Sequence, residues 1–364
     1  MSSVTAILER TLSGQRLEAR EALLLLESGA PLEVGDAAHV ARLRHNPEQR
    51  VSFIIERNIN YTNVCITNCS FCAFYRAPGD QEGYVLSPEI IHQKVAETVQ
   101  QGGTGILLQG GHHPDLPLSF YEEMLAGIKE RHPIHIHGFS PSEIQHIARV
   151  SKLPLATVLQ RLKAAGLDSV PGGGAEILVD QVREDIAPLK TTSDEWLNIM
   201  EEAHGLGLST SVTMMMGCGE SPADRVEHLQ RVRELQDRTG GFLAFIVWTF
   251  QPGNNPLGQR MKGNEATAQE FLLTLSTARL FLDNVAHFQS SWLTQGLKLG
   301  QVALRFGADD MGSVMIEENV VSSAGSFHCT NATEMRRVIQ EAGFEAIQRD
   351  NLYRPLPQQA VSVA

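Results

Sequence analysis

Short strand-like runs alternate with amphipathic helical stretches along most of the chain, from about residue 52 onward. The strand-like runs include GILLQGG at 105–111, PIHIHGF at 133–139 and STSVTMMM at 209–216, and stretches with helical periodicity lie between them. Strands that alternate with helices pair in parallel through right-handed crossovers, and about eight such units fit a closed barrel better than an open sheet. The sequence therefore predicts an α/β fold, a (β/α)8 barrel of the TIM type.

Both ends of the chain lie outside this alternation. Residues 5–47 have the pattern of two helices with polar faces, which predicts a helical cap over residues 1–50 before a barrel over residues 51–318. Residues 319–364 contain one helical stretch, NATEMRRVIQEAGF, and a strand-like end, which is typical of a small C-terminal extension. With 364 residues and 42% hydrophobic content, the chain is long enough to bury a large core.

Composition and charge exclude several classes of protein. No stretch of about 18 uncharged apolar residues is present, and the N-terminus MSSVTAILERTLSGQRLEAR carries charges where a signal peptide needs an apolar segment. A formal net charge of -12 would repel a phosphate backbone. We therefore expect a cytoplasmic protein that binds a small-molecule substrate and has neither a nucleic-acid nor a membrane partner.

Three of the five cysteines lie within the stretch NINYTNVCITNCSFCAFYR (58–76), directly after the first strand-like run. In a β/α barrel the chemistry takes place at the carboxyl ends of the strands, where this cysteine loop (residues 61–76) begins. Cys65, Cys69 and Cys72 have the spacing C-x3-C-x2-C, which lets one loop place three thiolates at three corners of a cubane iron–sulfur cluster. The fourth iron then stays open for a ligand. Uneven spacing and the lack of an export signal argue against a disulfide framework.

Two other uses of these cysteines stay open at this point. A structural zinc site would need a fourth ligand, which His112 or Cys329 could supply. A non-catalytic iron–sulfur electron carrier would need a fourth thiolate near the loop and little else, whereas about 300 residues of this chain form a scaffold around one cavity. Cys218 and Cys329 stand alone, and we expect both to be ordinary free cysteines.

The cysteine loop, with the aromatic Phe71 directly before Cys72 at the start of a β/α barrel, resembles that of the radical S-adenosylmethionine (radical SAM) superfamily. The resemblance implies a radical SAM barrel, a [4Fe-4S] cluster held by the three cysteines, S-adenosyl-L-methionine as cofactor, and reduced flavodoxin or ferredoxin as electron donor. Three further stretches match the family in order: LLQGGHHP, PGGGAEIL and TMMMGCGES. By this match the cofactor-binding residues are Phe71, Gly110, Gly111, Glu176 and Glu220. The first stretch departs from the family, because His112 stands where a glutamate is expected.

Four other stretches narrow the resemblance to the group of enzymes that make menaquinone and deazaflavin precursors: HIHGFSPSEI, FIVWTFQPGNNPL, FQSSWLTQGLKLGQ and GSVMIEENVVSSAGS. Within that group, WTFQP and EENVVSSAG are most similar to the cyclase of the futalosine pathway. The resemblance implies an oxidoreductase that removes a hydrogen from C4' of dehypoxanthinyl futalosine and adds the resulting radical to the aryl ring. Aminofutalosine synthase and a deazaflavin-precursor (FO) synthase subunit are the alternatives within the group.

The ring closure implied by this resemblance releases a proton, so a base is needed. His135 and His137 are two residues apart and share one face of a strand, and inside a barrel that face can point toward the centre. A buried, hydrogen-bonded pair of histidines is the structural alternative. We expect His137 and Glu318 to act in catalysis, and the substrate to be bound by His135, Gln289, Ser291 and Asn319.

Overall fold

The computed structural model describes residues 3–357. Within these residues, ten strands form a single sheet in which every pairing is parallel. The strands are β1 (Arg50–Ile54), β2 (Glu56–Asn60), β3 (Gly105–Gln109), β4 (His135–Gly138), β5 (Ser169–Val170), β6 (Ser209–Met216), β7 (Phe242–Thr249), β8 (His287–Gln289), β9 (Asp310–Ser313) and β10 (Glu345–Gln348). Their order across the sheet is β10-β1-β9-β8-β7-β6-β5-β4-β3-β2.

The two ends of this order are joined through the first strand, because β1 and β2 are separated by Ile55 alone. β1 pairs with β9 and β10, whereas β2 pairs with β3. Beyond β9 the chain stays beside the first strand, where the Val314 amide donates to the Ile54 carbonyl at 3.0 Å. The sheet is therefore curled into a barrel, which confirms the predicted TIM-type α/β fold.

Helices surround the sheet on its outer side. They are α1 (Val4–Leu12), α2 (Ala19–Glu27), α3 (Pro31–Arg42), α4 (Pro88–Gln100), α5 (Leu118–Arg131), α6 (Pro141–Ser151), α7 (Leu155–Ala165), α8 (Asp180–Ile186), α9 (Ser193–Gly205), α10 (Pro222–Thr239), α11 (Pro256–Arg260), α12 (Ala268–Phe281), α13 (Trp292–Ala303), α14 (Val320–Ser323) and α15 (Ala332–Glu341). Most of them turn an apolar face toward the sheet or toward a neighbouring helix, and these faces form one continuous core with the strands.

The sequence sets the bounds of the longest of these helices, α10. Ser221 forms a capping box with Asp224, in which each side chain accepts a hydrogen bond from the backbone amide of the other. Pro222 occupies the first turn, where its missing N–H does no harm. The helix ends at Gly240, which adopts the left-handed conformation with φ 63°.

The N-terminal segment forms three helices, so the expectation of two was wrong. Helix α2 ends at Glu27, and Pro31 begins α3. The helical pattern of the sequence continues across this break and so did not reveal it. Helix α3 packs against α12, and α2 packs against α10 and α12. Arg16, between α1 and α2, forms ion pairs with Asp237 and Asp283, both at 2.7 Å. The helices before β1 are thus fixed to the outside of the barrel, and the boundary at residue 50 stays a prediction.

The C-terminal segment (residues 345–357) is built into the barrel. β10 lies beside β1 on the side opposite β9, and the Arg349 amide donates to the Phe53 carbonyl at 2.9 Å. The Gln348 side chain donates to the Gly102 carbonyl at 3.0 Å. The residues after β10 then cross the N-terminal end of the barrel. The start of a separate C-terminal extension at residue 319 therefore remains a prediction. No helix within residues 3–357 is long and apolar enough to cross a membrane.

Strand alternation makes the centre of the barrel polar. On β4, Ile136 faces the helices and is fully buried, whereas His135 and His137 lie on the opposite face. On β2, Ile59 is likewise buried against the helices between Asn58 and Asn60. Polar side chains are therefore gathered inside the barrel, where they need hydrogen-bond partners or a ligand.

Candidate active site

A cavity of about 420 Å³ occupies the interior of the barrel. The cysteine loop lines its upper end, at the carboxyl ends of the strands, and the C-terminal segment lines its lower end. The wall between them includes Asn58, Asn60, Gln109, His137, Ser169, Thr213, Trp248 and Gln289. This is the place where a β/α barrel carries out chemistry, and the polar wall indicates a polar ligand.

The three cysteines of the loop line the same end of this cavity. The hydroxyl oxygen of Thr67 lies 3.0 Å from the Cys65 sulfur and 3.6 Å from the Cys69 sulfur, so one side chain fixes two thiols. The Cys72 amide donates to the Cys69 carbonyl at 3.1 Å, which holds the last two cysteines in one tight turn. Burial raises the pKa of Cys69 to about 11 and also raises that of Cys72, so their thiolate forms need a cation to stabilise them.

Within the described residues, the thiols are not gathered around one point, as a single metal ion would need. Among residues 3–357, no three His, Cys, Asp or Glu side chains are gathered closely enough to hold one ion. A tetrahedral zinc site needs its ligands to converge on one point, whereas in a cubane cluster each thiolate binds a different iron. His112 stacks on His146 with ring centroids 4.9 Å apart, and Cys329 is exposed and absent from the cavity wall.

The turn after β3 brings backbone close to the cysteine loop. The Gly111 amide donates to the Thr62 carbonyl at 2.9 Å, and a Cβ on Gly111 would lie 2.2 Å from the Val64 carbonyl oxygen. A Cβ on Gly110 would lie 2.6 Å from the Tyr61 ring. Both positions therefore require glycine because of this close approach, and the bare backbone of the turn faces the cavity.

A carboxylate that sequence reasoning missed lies beneath this turn. Glu143 of α6 accepts hydrogen bonds from the Gly110 amide at 2.9 Å and from the Tyr61 hydroxyl at 2.8 Å. Its other oxygen accepts from the amide and hydroxyl of Ser140, in a capping box. The signal was present in the sequence as SPSE, a serine followed three residues later by glutamate. Glu143 thus fixes the glycine turn, at the place where His112 does not supply a carboxylate.

Glu176 lines the cavity with one oxygen committed and one free. Its Oε1 accepts from Lys190 Nζ at 2.8 Å, whereas its Oε2 is buried and has no hydrogen-bond partner among the described residues. Burial alone would lower the pKa of Lys190, but the Glu176 carboxylate raises it above its ordinary value. Lys190 Nζ also lies 5.3 Å from the centre of the Phe71 ring. Lys190 was missed by sequence reasoning, because only the fold brings it beside Phe71 and Glu176.

Four of the residues predicted from sequence do not line the cavity: His135, Glu220, Ser291 and Asn319. The Glu220 carboxylate accepts from the amides of Gly217 and Cys218, both at 2.8 Å, and pairs with Arg225. Ser291 lies at the start of α13 in the left-handed conformation, where its hydroxyl meets Thr294. The ligand contacts expected of these residues stay predictions.

Asn319 and His135 still touch the wall of the cavity through a neighbour. The Asn319 amide donates to Asn60 Oδ1 at 3.2 Å, and Asn60 lines the cavity. His135 Nε2 lies 2.6 Å from the Ser169 hydroxyl, which also lines it. Both residues can therefore influence a ligand indirectly.

His137 and Glu318, the two residues expected to act in catalysis, both line the cavity, but their side chains differ in how many hydrogen bonds they already make. The Glu318 carboxylate accepts from the amides of Val320, Val321 and Ser322, each at 2.8 Å, so it caps the short helix α14. Among the described residues, His137 has one hydrogen-bond partner, the Ser169 hydroxyl, which lies 2.7 Å from its Nδ1. Burial lowers the pKa of His137 to about 3, so the ring is neutral, and Nε2 is the proton acceptor when the ring hydrogen lies on Nδ1, next to Ser169. His137 is the better candidate for the base.

The lower end of the cavity is closed by residues that the sequence did not suggest. Arg349, Asn351 and Tyr353 of the C-terminal segment line the wall there. Gln289, predicted to bind substrate, donates to the Tyr353 hydroxyl at 2.8 Å. The Tyr353 ring stacks on His287 with a centroid separation of 4.0 Å. The short segment NLYRPL after the last strand carried no motif that would place it inside a barrel.

Two models of known protein families match this chain. The family model described as the radical SAM superfamily matches residues 59–232, and the CofH/MqnC C-terminal region matches residues 239–361. The chain is 49% identical over 354 residues to the cyclic dehypoxanthine futalosine synthase of Streptomyces coelicolor, an alignment that covers 96% of this chain and 88% of the relative. It is 47% identical over 352 residues to a protein of the same name from Halalkalibacterium halodurans, with 96% and 94% covered.

Solved structures support the fold. The crystal structure of methylornithine synthase superposes with a TM-score of 0.73 and 17% sequence identity, covering 93% of this chain and 97% of that one. At this identity the likeness concerns the barrel and its helices alone.

Proposed function

The chain belongs to the radical SAM superfamily, and from this premise we propose that it converts dehypoxanthinyl futalosine into cyclic dehypoxanthinyl futalosine in menaquinone biosynthesis. The observation that carries the proposal is the 49% identity over 96% of the chain to a relative named for this product. The cavity supports it, because three thiols, a bare glycine turn and an open carboxylate oxygen line one interior space.

When bound, the [4Fe-4S] cluster and S-adenosylmethionine supply the radical that removes a hydrogen atom from C4' of the substrate. We assign Cys65, Cys69 and Cys72 as the cluster ligands. The Thr67 hydroxyl next to two of the thiols orients them, as partners of metal ligands do.

The cofactor is assigned to the neighbouring wall of the cavity. The backbone at Gly110 and Gly111 lines the cavity and is assigned to contact the cofactor, while the positions that a Cβ would take are occupied by the Tyr61 ring and the Val64 carbonyl oxygen. The free Oε2 of Glu176 can accept hydrogen bonds from ribose hydroxyls, and the Phe71 ring can pack against the cofactor from the cysteine loop. Glu220 has no free oxygen for such a contact, so its assignment to the cofactor is the weakest of the five.

The substrate takes the remaining space toward the lower end of the barrel. Ring closure joins two parts of one molecule, so the enclosing wall supplies proximity simply by restricting the conformations of the substrate. His137 is assigned as the base that takes the proton from the aryl ring after the new bond forms, because its Nε2 has no other partner within residues 3–357. Gln289 is assigned to substrate binding on the opposite part of the wall.

Two further assignments concern the surroundings of the enzyme. A one-electron reductant must reach the cluster, and we assign reduced flavodoxin or ferredoxin to this task. The cysteine loop offers an approach, since Phe71, Cys72 and Tyr75 are only half-buried. The cytoplasm, which keeps thiols reduced, is the proposed location.

The test uses the anaerobically reconstituted enzyme with reductant, S-adenosylmethionine and dehypoxanthinyl futalosine. We expect 5'-deoxyadenosine and a product lighter than the substrate by two hydrogens, both measured by mass spectrometry. Substrate carrying deuterium at C4' should transfer the label to the deoxyadenosine.

Two outcomes would overturn this assignment in favour of a related activity. If dehypoxanthinyl futalosine is inert while the carboxyphenyl enol ether of pyruvate yields aminofutalosine, the enzyme is an aminofutalosine synthase. If tyrosine and a diaminouracil are coupled instead, it is an FO synthase subunit. Intact cluster with no deoxyadenosine from any of these substrates would favour an electron carrier.

A further inference from the structure

The Ser169 hydroxyl lies between two histidines. Its oxygen is 2.7 Å from His137 Nδ1 and 2.6 Å from His135 Nε2. The fold imposes this arrangement, since His135 and His137 share one face of β4, and Ser169 of β5 is the register partner of His137. The three side chains form a continuous hydrogen-bonded row.

The row runs from the cavity toward the base of the barrel. His137 and Ser169 line the cavity, whereas His135, the first residue of β4, does not. Charged groups surround His135 at this end: Asp168 and Lys129, which pair with each other, and Asp350 and Arg354 of the C-terminal segment. The Lys129 and Asp168 side chains are 30% and 33% exposed, so this end of the row is in contact with solvent.

We propose that Ser169 and His135 form a proton relay that carries to solvent the proton accepted by His137 from the substrate. This inference rests on the proposed function, in which ring closure leaves a proton on the aryl ring. The ring radical loses one electron to an acceptor of the iron–sulfur class, and its proton passes to His137 Nε2. His137 Nδ1–H then donates to the Ser169 oxygen as the Ser169 O–H passes its proton to His135 Nε2. His135 releases a proton from Nδ1.

The relay answers a difficulty that a single buried base would face. Burial lowers the pKa of His137 to about 3 and also lowers that of His135, so neither imidazole holds a positive charge easily. Passing the proton along the row leaves His137 neutral at the end of the step. The recovery of aromaticity in the substrate drives the transfer, so a weak base is sufficient.

The variants Ser169→Ala and Ser169→Thr distinguish a proton relay through Ser169 from a purely structural role of this residue. Both are tested as reconstituted holoenzyme, with deoxyadenosine and cyclised product measured in the same samples. For Ser169→Ala we expect hydrogen abstraction to continue while the ratio of product to deoxyadenosine falls by about tenfold or more. Ser169→Thr keeps the hydroxyl and should restore most of the ratio. Ser276→Ala, which removes a buried hydroxyl of α12 far from the row, is the matched control.

His135→Gln provides a second test that does not depend on the stability of the Ser169 variants. Glutamine can keep a hydrogen bond to Ser169, but it cannot take up and release a proton as imidazole does. His135 does not line the cavity, so this variant leaves the cavity wall itself unchanged. Wild-type ratios in both Ser169→Ala and His135→Gln would overturn the relay.

A measurement on the protein without substrate decides the relay separately from the proposed function. Nitrogen-15 spectra of histidine-labelled protein report which ring nitrogen carries the hydrogen. The signals are assigned with variants in which one histidine at a time is replaced. The relay requires the Nδ1–H form of both His137 and His135, and Ser169→Ala should shift these two signals alone. If His137 carries its hydrogen on Nε2, the relay is wrong whatever substrate the enzyme uses. If the tautomers are as expected but dehypoxanthinyl futalosine is inert, it is the proposed function that fails.

Discussion

Arg349 and Asp310 form a buried ion pair at the lower end of the cavity, with two hydrogen bonds of 2.6 and 2.9 Å. Their side chains are only 4% and 0% exposed. Asp310 also accepts from the Ser52 hydroxyl at 2.5 Å, so its oxygens are fully used. Arg349 follows β10 and Asp310 begins β9, so the pair joins the C-terminal segment to the strands of the barrel.

Removal of this arginine should destabilise the barrel. Arg349→Met leaves Asp310 buried and without its cation, and we expect the free energy of unfolding to fall by about 3–5 kcal/mol. Urea unfolding of the protein without cluster measures the change. Arg354→Met is the control, since Arg354 pairs with Asp350 while its side chain is 70% exposed, and we expect a change below about 1 kcal/mol. Equal losses in the two variants would contradict this account of the C-terminal segment.

The three cysteines of the loop should be needed for the cluster but not for the fold. Cys65→Ala, Cys69→Ala and Cys72→Ala should each lower the iron content after reconstitution from about four per chain toward zero. Deoxyadenosine formation should be lost with the cluster, while circular dichroism stays that of the wild type. Cys218→Ala and Cys329→Ala should keep both cluster and activity, because Cys218 is packed away from the cavity and Cys329 is exposed. A full cluster in any loop variant would refute the ligand assignment.

His228 should make the stability of the protein depend on pH. It is fully buried on α10 and accepts a hydrogen bond at Nδ1 from the Leu178 amide at 3.1 Å. Burial, with the nearby charges of Arg183 and Arg231, lowers its pKa from 6.5 to about 3. Below pH 6.5 the unfolded chain therefore takes up a proton that the folded chain refuses, so stability falls as the pH falls toward 3.

The contribution of this one histidine between pH 6.5 and pH 5 is about 2 kcal/mol. It can be isolated by comparing urea unfolding of the wild type and His228→Gln at both pH values. We expect the variant to lose less stability on acidification by about that amount. The same pH dependence in both proteins would show that His228 is not held neutral by the fold.

The sequence predicted the parts of this structure that depend on local pattern. Strand alternation predicted that His137 points into the barrel, where it lines the cavity, and the spacing of the cysteines predicted three thiols in one loop, which line one end of that cavity. Lys190, Arg349 and Tyr353 could not be predicted in this way. They reach the cavity because distant segments meet in the fold, and no periodicity or motif in their neighbourhood encodes that meeting.

The roles of the carboxylates could not be predicted from the local sequence either. Glu220 and Glu318 follow glycine-containing or strand-end segments and were expected to meet ligands. In the structure both accept backbone amide hydrogen bonds, since a carboxylate near the start of a short helix or turn is well placed to cap it. Only the fold distinguishes them from Glu176, whose Oε2 has no partner among the described residues.

Glu176 and Glu220 should therefore respond differently to the same substitution. In Glu176→Gln an amide replaces the free acceptor oxygen, and the loss of a hydrogen bond to a charged group should raise the dissociation constant of S-adenosylmethionine by about 10- to 100-fold. Equilibrium dialysis with the reconstituted enzyme measures this, and the iron content should not change. Each substitution also breaks a buried ion pair, that of Glu176 with Lys190 or that of Glu220 with Arg225, so we expect both variants to lose about 3–5 kcal/mol in the free energy of unfolding and Glu220→Gln to show the smaller change in cofactor affinity. The reverse pattern, with Glu220→Gln weakening cofactor binding and Glu176→Gln leaving it intact, would place the cofactor against the turn after β6 and not beside Lys190.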